Sequence, residues 1–167
     1  MIDRVVSISA VFILFAASAV AQSQLASRSS IGVAIEGSGP AGSTAIPPSP
    51  SEQRAVQQNV KDIHFDFDRA ELRPEDQATL QSDAQWLKAN PNTLVTIEGD
   101  ADERGDIVYN VALSDKRAQA AKDALVSMGV PPDQIVYATG WGKLYPICNE
   151  GDESCWSQNR RAHFAAW

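Results

Sequence analysis

Residues 94–129, LVTIEGDADERGDIVYNVALSDKRAQAAKDALVSMG, change their hydrophobic period partway along. LVTIEG (94–99) reads as a strand. From about Val111 to Met128, residues Ala118, Ala121, Leu125 and Met128 recur at helical spacing, and Gly129 closes the run. Between the two lies GDADERGDIVYNV (99–111), with acidic residues and an arginine around two glycines. A strand, a charged loop and a helix in that order are the first half of a strand-helix-strand unit.

Working outward, KDIHFDF (61–67) alternates as a strand, with Ile63, Phe65 and Phe67 on one face and Asp62, His64 and Asp66 on the other. Pro74 opens a helix striped by Leu80, Ala84 and Leu87, and Asn90-Pro91 stops it. QIVYAT (134–139) is a third strand and RRAHFAAW (160–167) alternates as a fourth. The order β-α-β-α-β, a loop, then β implies parallel pairing with right-handed crossovers. The first two strands then finish at one edge of the sheet, where α/β proteins place ligands. Those ends carry Phe67-Asp68 and Gly99-Asp100-Ala101-Asp102.

The chain has 167 residues, a net charge of -7 and 44% hydrophobic residues, which fits one domain plus tails. With a pI near 4.7 it would be repelled by phosphate, and the basic pair Arg160-Arg161 is too small for a nucleic-acid face. Residues 5–21, VVSISAVFILFAASAVA, end in the small-x-small tripeptide Ala19-Val20-Ala21 and read as a signal peptide cleaved after Ala21. An uncleaved membrane span is the rival reading, at the short end of the required length. Residues 22–52, rich in Ser, Gly and Pro, read as a flexible linker, and 53–167 as the domain. In an exported protein Cys148 and Cys155 are expected to form a disulfide, contributing about 2.5 kcal/mol by closing a short loop.

The acidic stretch opens like a calcium loop but puts Arg104 at the fifth position and Val111 at the twelfth, where oxygen ligands are needed. No metal or cofactor is expected. His64 and His163 sit in strands with no nucleophile motif beside them, which argues against an enzyme. A ligand clamp remains. Leu113, Arg117, Ala121 and Ala124 share one helix line, so Arg117 lies on or beside the inward stripe near the strand end bearing Asp102. Either the two pair with each other or they hold a charged ligand between them. Gly105 is expected to allow the turn, and Arg104 to be a rim contact or a solvated charge.

The run GDADERGDIVYNVALSDKRAQAAKDALVSMGVPPDQI, with FDFDRAELRPE upstream and ATGWG and NRRAHF downstream, resembles the OmpA-like peptidoglycan-binding domain, nearest its peptidoglycan-associated lipoprotein (Pal) branch. The resemblance covers roughly residues 58–167. It implies a two-layer α/β (α+β) sandwich, a βαβαβ-β chain whose small mixed sheet is covered by helices. It also implies non-catalytic binding of peptidoglycan through the meso-diaminopimelate of the stem peptide, in support of the outer envelope. Carried over by position, the ligand-holding residues are Asp102 and Arg117, with Phe67 and Asp68 lining the same pocket. Asn110, Leu113 and Arg161 match motif positions of structural character. Asp100 departs from the family, which usually shows His or another residue there, and the lipid-bearing cysteine of the Pal branch is absent. The implied location is the periplasm, free or associated with the outer membrane. The alternative is a membrane-anchored, stator-like component or a Tol–Pal-like complex with a TolB-like periplasmic partner.

Overall fold

The computed structural model describes residues 47–167. The expected signal peptide (1–21) and the expected linker up to residue 46 lie outside the described residues. The linker reading gives way at its end. Helix α1 (Pro50–Asn59) begins three residues before the expected domain boundary, with Ser49 as its N-cap and a capping box closed by Glu52. Only Val56 of this helix is buried, so no apolar stripe announced it. Among the described residues no helix is long and apolar enough to cross a membrane.

The remaining elements are β1 (Ile63–His64), α2 (Gln77–Ala89), β2 (Val95–Asp100), α3 (Ile107–Ser127), β3 (Ile135–Gly142), α4 (Glu153–Asn159) and β4 (Arg161–Ala166). The sheet order is β1-β4-β2-β3. β2 and β3 are parallel, while β4 runs antiparallel to both β1 and β2. Being antiparallel to the same strand, β1 and β2 point the same way, as expected. They do not pair directly, however, because β4 lies between them. The result is the expected two-layer fold with a mixed sheet.

Three sequence readings need correction in extent. The first strand is two residues long, because the chain turns after Phe65 and Arg69 N–H donates to the Asp66 carbonyl. Helix α3 starts at Ile107, capped by Asp106, whose side chain accepts from Val108 N–H at 2.8 Å. Helix α4 begins inside the loop clipped by Cys148 and Cys155, carries Cys155 itself and runs up to the last strand, where the sequence reading expects only a loop. The expected helical stripes otherwise hold. Leu80, Ala84, Leu87, Ala118, Ala121 and Leu125 are buried with Ile63, Phe65, Ile97 and Phe164 in one core.

The seat of α3 matters most for function. Gly99 and Gly140 stand opposite each other on β2 and β3. A Cβ on Gly99 would fall 1.9 Å from the Ser114 carbonyl oxygen, and one on Gly140 would fall 2.2 Å from the Asp115 nitrogen. The helix therefore rests on sheet backbone. Ser114 Oγ locks it there, accepting from Gly142 N–H at 2.8 Å and donating to Val111 O at 2.9 Å.

Candidate functional site

At the ends of β1 and β2, beside the first turns of α3, lies a cavity of about 240 Å³. Phe67, Asp68, Asp102 and Arg117 all line it, so the structure brings the four expected residues together. Arg104, Tyr109, Asn110 and Leu113 complete most of the wall.

Asp102 and Arg117 do not pair with each other. Arg117 is wholly buried, and its three nitrogens donate to backbone carbonyls: Nε to Arg69 at 2.8 Å, Nη1 to Asp100 at 2.8 Å and Nη2 to Asp66 at 3.1 Å. Among the described residues it forms no ion pair with a carboxylate. Two of the five N–H groups an arginine carries remain uncommitted. Burial, and next the charge of Arg160, pull its pKa down to about 10, so it stays a cation at neutral pH.

Asp102 is buried and filled. Its Oδ1 accepts from Arg104 N–H and Nε, both at 3.1 Å, and its Oδ2 from Arg104 Nη2 at 2.6 Å and Arg160 Nη1 at 3.1 Å. These four bonds occupy about all the positions a carboxylate offers. Burial is the largest single influence on this carboxyl and pushes its pKa up. The hydrogen bonds from Arg104 and Arg160 together outweigh it, leaving the pKa below the usual aspartate value.

Arg104 thus has a larger role than a rim contact. Its guanidinium carbon lies 4.0 Å from the centroid of Phe67 and 4.0 Å from that of Trp156. Phe67 is 55% exposed, so it is not on the buried face of a strand; its ring serves the cavity instead. Asp68 stands at the mouth in the left-handed region (φ 58°) and accepts from the Tyr109 hydroxyl. Asn110 is structural, donating to the Arg104 carbonyl at 2.8 Å. Arg160, Glu153, Trp156 and Tyr109 escape the sequence reading as site residues; within the Arg160-Arg161 pair only Arg161 matches a motif position, of structural character.

Asp100 does not face the cavity. It alternates to the far side of β2 and pairs there with Arg161 at 2.8 Å. His163 meets Asp62 at 2.8 Å on that same open face, away from the cavity. Cys148 and Cys155 form the expected disulfide.

The OmpA family model matches residues 64–160. The chain belongs to the OmpA family. Peptidoglycan-associated lipoproteins of Rhizobium meliloti and Agrobacterium fabrum are 49% and 47% identical to it over 115 residues, 68% of this chain. The match spans 65% and 64% of the length of those two relatives. The crystal structure of the peptidoglycan-associated lipoprotein from Burkholderia pseudomallei superposes with a TM-score of 0.62 at 41% identity, covering 64% of this chain and 90% of that one. The C-terminal domain of Helicobacter pylori MotB, at 15% identity and a TM-score of 0.60, shares the OmpA-like fold alone.

Proposed function

We propose that this OmpA-family domain binds cell-wall peptidoglycan without catalysis, through the meso-diaminopimelate of the stem peptide, and so supports the integrity of the outer envelope. In this reading residues 1–21 are the signal peptide that delivers it to the periplasm. The chain up to Ser49 is the tether, and the disulfide fits an oxidising compartment.

One observation carries the reading: a buried arginine at the cavity with no carboxylate of its own. Diaminopimelate ends in a carboxylate and an ammonium on one carbon. The carboxylate supplies Arg117 with its missing counter-charge through the two uncommitted N–H groups. The ammonium goes to Asp68, whose only partner among the described residues is the Tyr109 hydroxyl. Asp102, already filled by four donors, works by holding Arg104 and Arg160 against the cavity. A few charge-assisted bonds, each contributing roughly 1.5–3 kcal/mol, give about micromolar affinity. The relatives named for peptidoglycan association support peptidoglycan as the wall component that is bound.

The test is retention of the full chain on purified sacculi. Free meso-diaminopimelate should release it and should raise its melting temperature. Arg117→Lys, which keeps the charge but loses the fork, should weaken retention roughly tenfold. Retention that neither diaminopimelate nor Arg117→Lys alters would end this assignment. Sacculi with lysine-type stems, lacking the second carboxylate, should bind more weakly by about 1–3 kcal/mol.

A further inference from the structure

Arg104 is held by Asp102, two residues before it, and by rings from two other parts of the chain. Its side chain is 30% exposed, and Phe67, on one side of it, is an exposed residue in a turn. What covers the other side is Trp156, from the short helix α4 more than fifty residues further along the chain. Trp156 is itself aimed: its indole N–H donates to Glu103 Oε1 at 2.9 Å, gripping the residue between Asp102 and Arg104. On the next turn back, Glu153 lies 3.6 Å from Arg104 Nη2 with one carboxylate oxygen and accepts from Arg160 Nη2 with the other.

Helix α4 has few apolar reasons to stay where it is, since only Cys155 and Asn159 of its seven residues are buried. It is tied down instead. The Cys148–Cys155 disulfide closes a small ring, and Asn159 crosses the ring's base, accepting from Ile147 N–H at 2.9 Å and Cys148 N–H at 3.1 Å while donating to Cys148 O at 2.7 Å. From the opposite side Lys143 Nζ donates to the carbonyls of Glu103 and Gly105 at 2.9 and 2.8 Å, fixing the loop that α4 must meet.

We propose that Trp156 and Glu153, carried on the disulfide-ringed α4, are positioning residues for the cavity. They clamp the Arg104 guanidinium between two aromatic faces so that it stays on Asp102 and keeps one flank turned toward the ligand's anionic group. The ring is then part of the binding site's machinery, and the effect of Trp156 on the ligand is exerted through Arg104. The affinity part rests on the peptidoglycan reading above; the clamp itself does not.

Two readouts on the full chain separate them. Proton exchange at Arg104 Nε–H, followed by NMR, reports the clamp without any ligand, and retention on sacculi reports binding. Trp156→Leu keeps apolar bulk but removes the aromatic face. It should speed the exchange at least about tenfold and weaken retention roughly three- to tenfold, while Trp156→Phe restores both to within about twofold of the parent. Cys148→Ser with Cys155→Ser should speed the exchange in the same direction with Trp156 intact. Trp156→Leu combined with Arg104→Ala should bind no more weakly than Arg104→Ala alone, because the two act in series. Unchanged Arg104 exchange in Trp156→Leu overturns the clamp. Faster exchange in a chain that sacculi never retain upholds the clamp and overturns the peptidoglycan reading instead.

Discussion

Arg160 and Arg161 are neighbours in sequence, yet they serve opposite sides of the sheet, and each takes one aspartate from the end of β2. Arg160 meets Asp102 at 3.1 Å on the cavity side, and Arg161 meets Asp100 at 2.8 Å on the open face. Both aspartates are buried to a similar degree, at 4% and 3% exposure. Their protons behave oppositely. Asp102, with four donors, lies below the usual aspartate pKa. Burial pushes Asp100 up to about 6 against the opposing pull of Arg161, and Asp100 Oδ1 and Arg161 Nη1 are left buried without a partner among the described residues. Burial and an arginine do not by themselves fix an aspartate's charge; the number of hydrogen bonds to its oxygens does. Asp83 extends the series. Among the described residues it pairs with no arginine and accepts only from Lys61 N–H at 3.1 Å, and burial raises it to about 7.

The largest way to break this contrast is to remove the arginines in turn. Arg160→Ala strips a donor from Asp102 and from the Phe65 carbonyl and should cost about 3 kcal/mol in urea unfolding at pH 7. Arg161→Ala should cost less, about 1–2 kcal/mol, because Asp100 can take up a proton when its cation is gone. Equal losses would remove the distinction between the two pairs.

A smaller effect sharpens the series. Asp83 has a raised pKa in the folded state, so its contribution to stability is fully present below about pH 4 and is lost as the pH rises through about 7. Asp83→Asn should therefore stabilise the protein by about 1–2 kcal/mol at pH 8, with the gain shrinking on acidification and gone near pH 4. The smallest effect is expected at Asp100. Asp100→Asn should follow the same sign and level off above about pH 6, with a gain under about 1 kcal/mol, because Arg161 keeps Asp62 at 3.2 Å. A pH-independent difference between either variant and the parent, read by urea titrations from pH 4 to 8, would contradict the assigned protonation.

What the sequence made legible follows from how each element is held. Helices α2 and α3 and strand β2 bury a face, so their apolar period announced them. Helix α1 buries only Val56, and α4 is held by a disulfide and by Asn159, neither of which leaves a period to read. The alternation through Phe67 was genuine but misleading, because the chain turns at Asp66–Arg69 and the last member of the pattern swings into the solvent-facing wall of the cavity. At the site, Arg117 was placed by its helix line and Asp102 by its strand end. The charge pattern also showed that Arg104 spoils a calcium loop. That Arg104 fills Asp102 instead depends on two rings remote in the chain, a juxtaposition that no local spacing encodes.

The glycine pair under α3 has a mechanical consequence. A domain that tethers something is loaded in tension, and the load enters at the residue that grips. On the proposed reading that residue is Arg117, and the load passes from it to the backbone of α3 and to the carbonyls at the ends of β1 and β2. Where Gly99 and Gly140 meet Ser114 and Asp115, no sheet side chain stands between helix and sheet, so at that seat the force runs from one hydrogen-bonded backbone into another, without a soft layer in between that could creep.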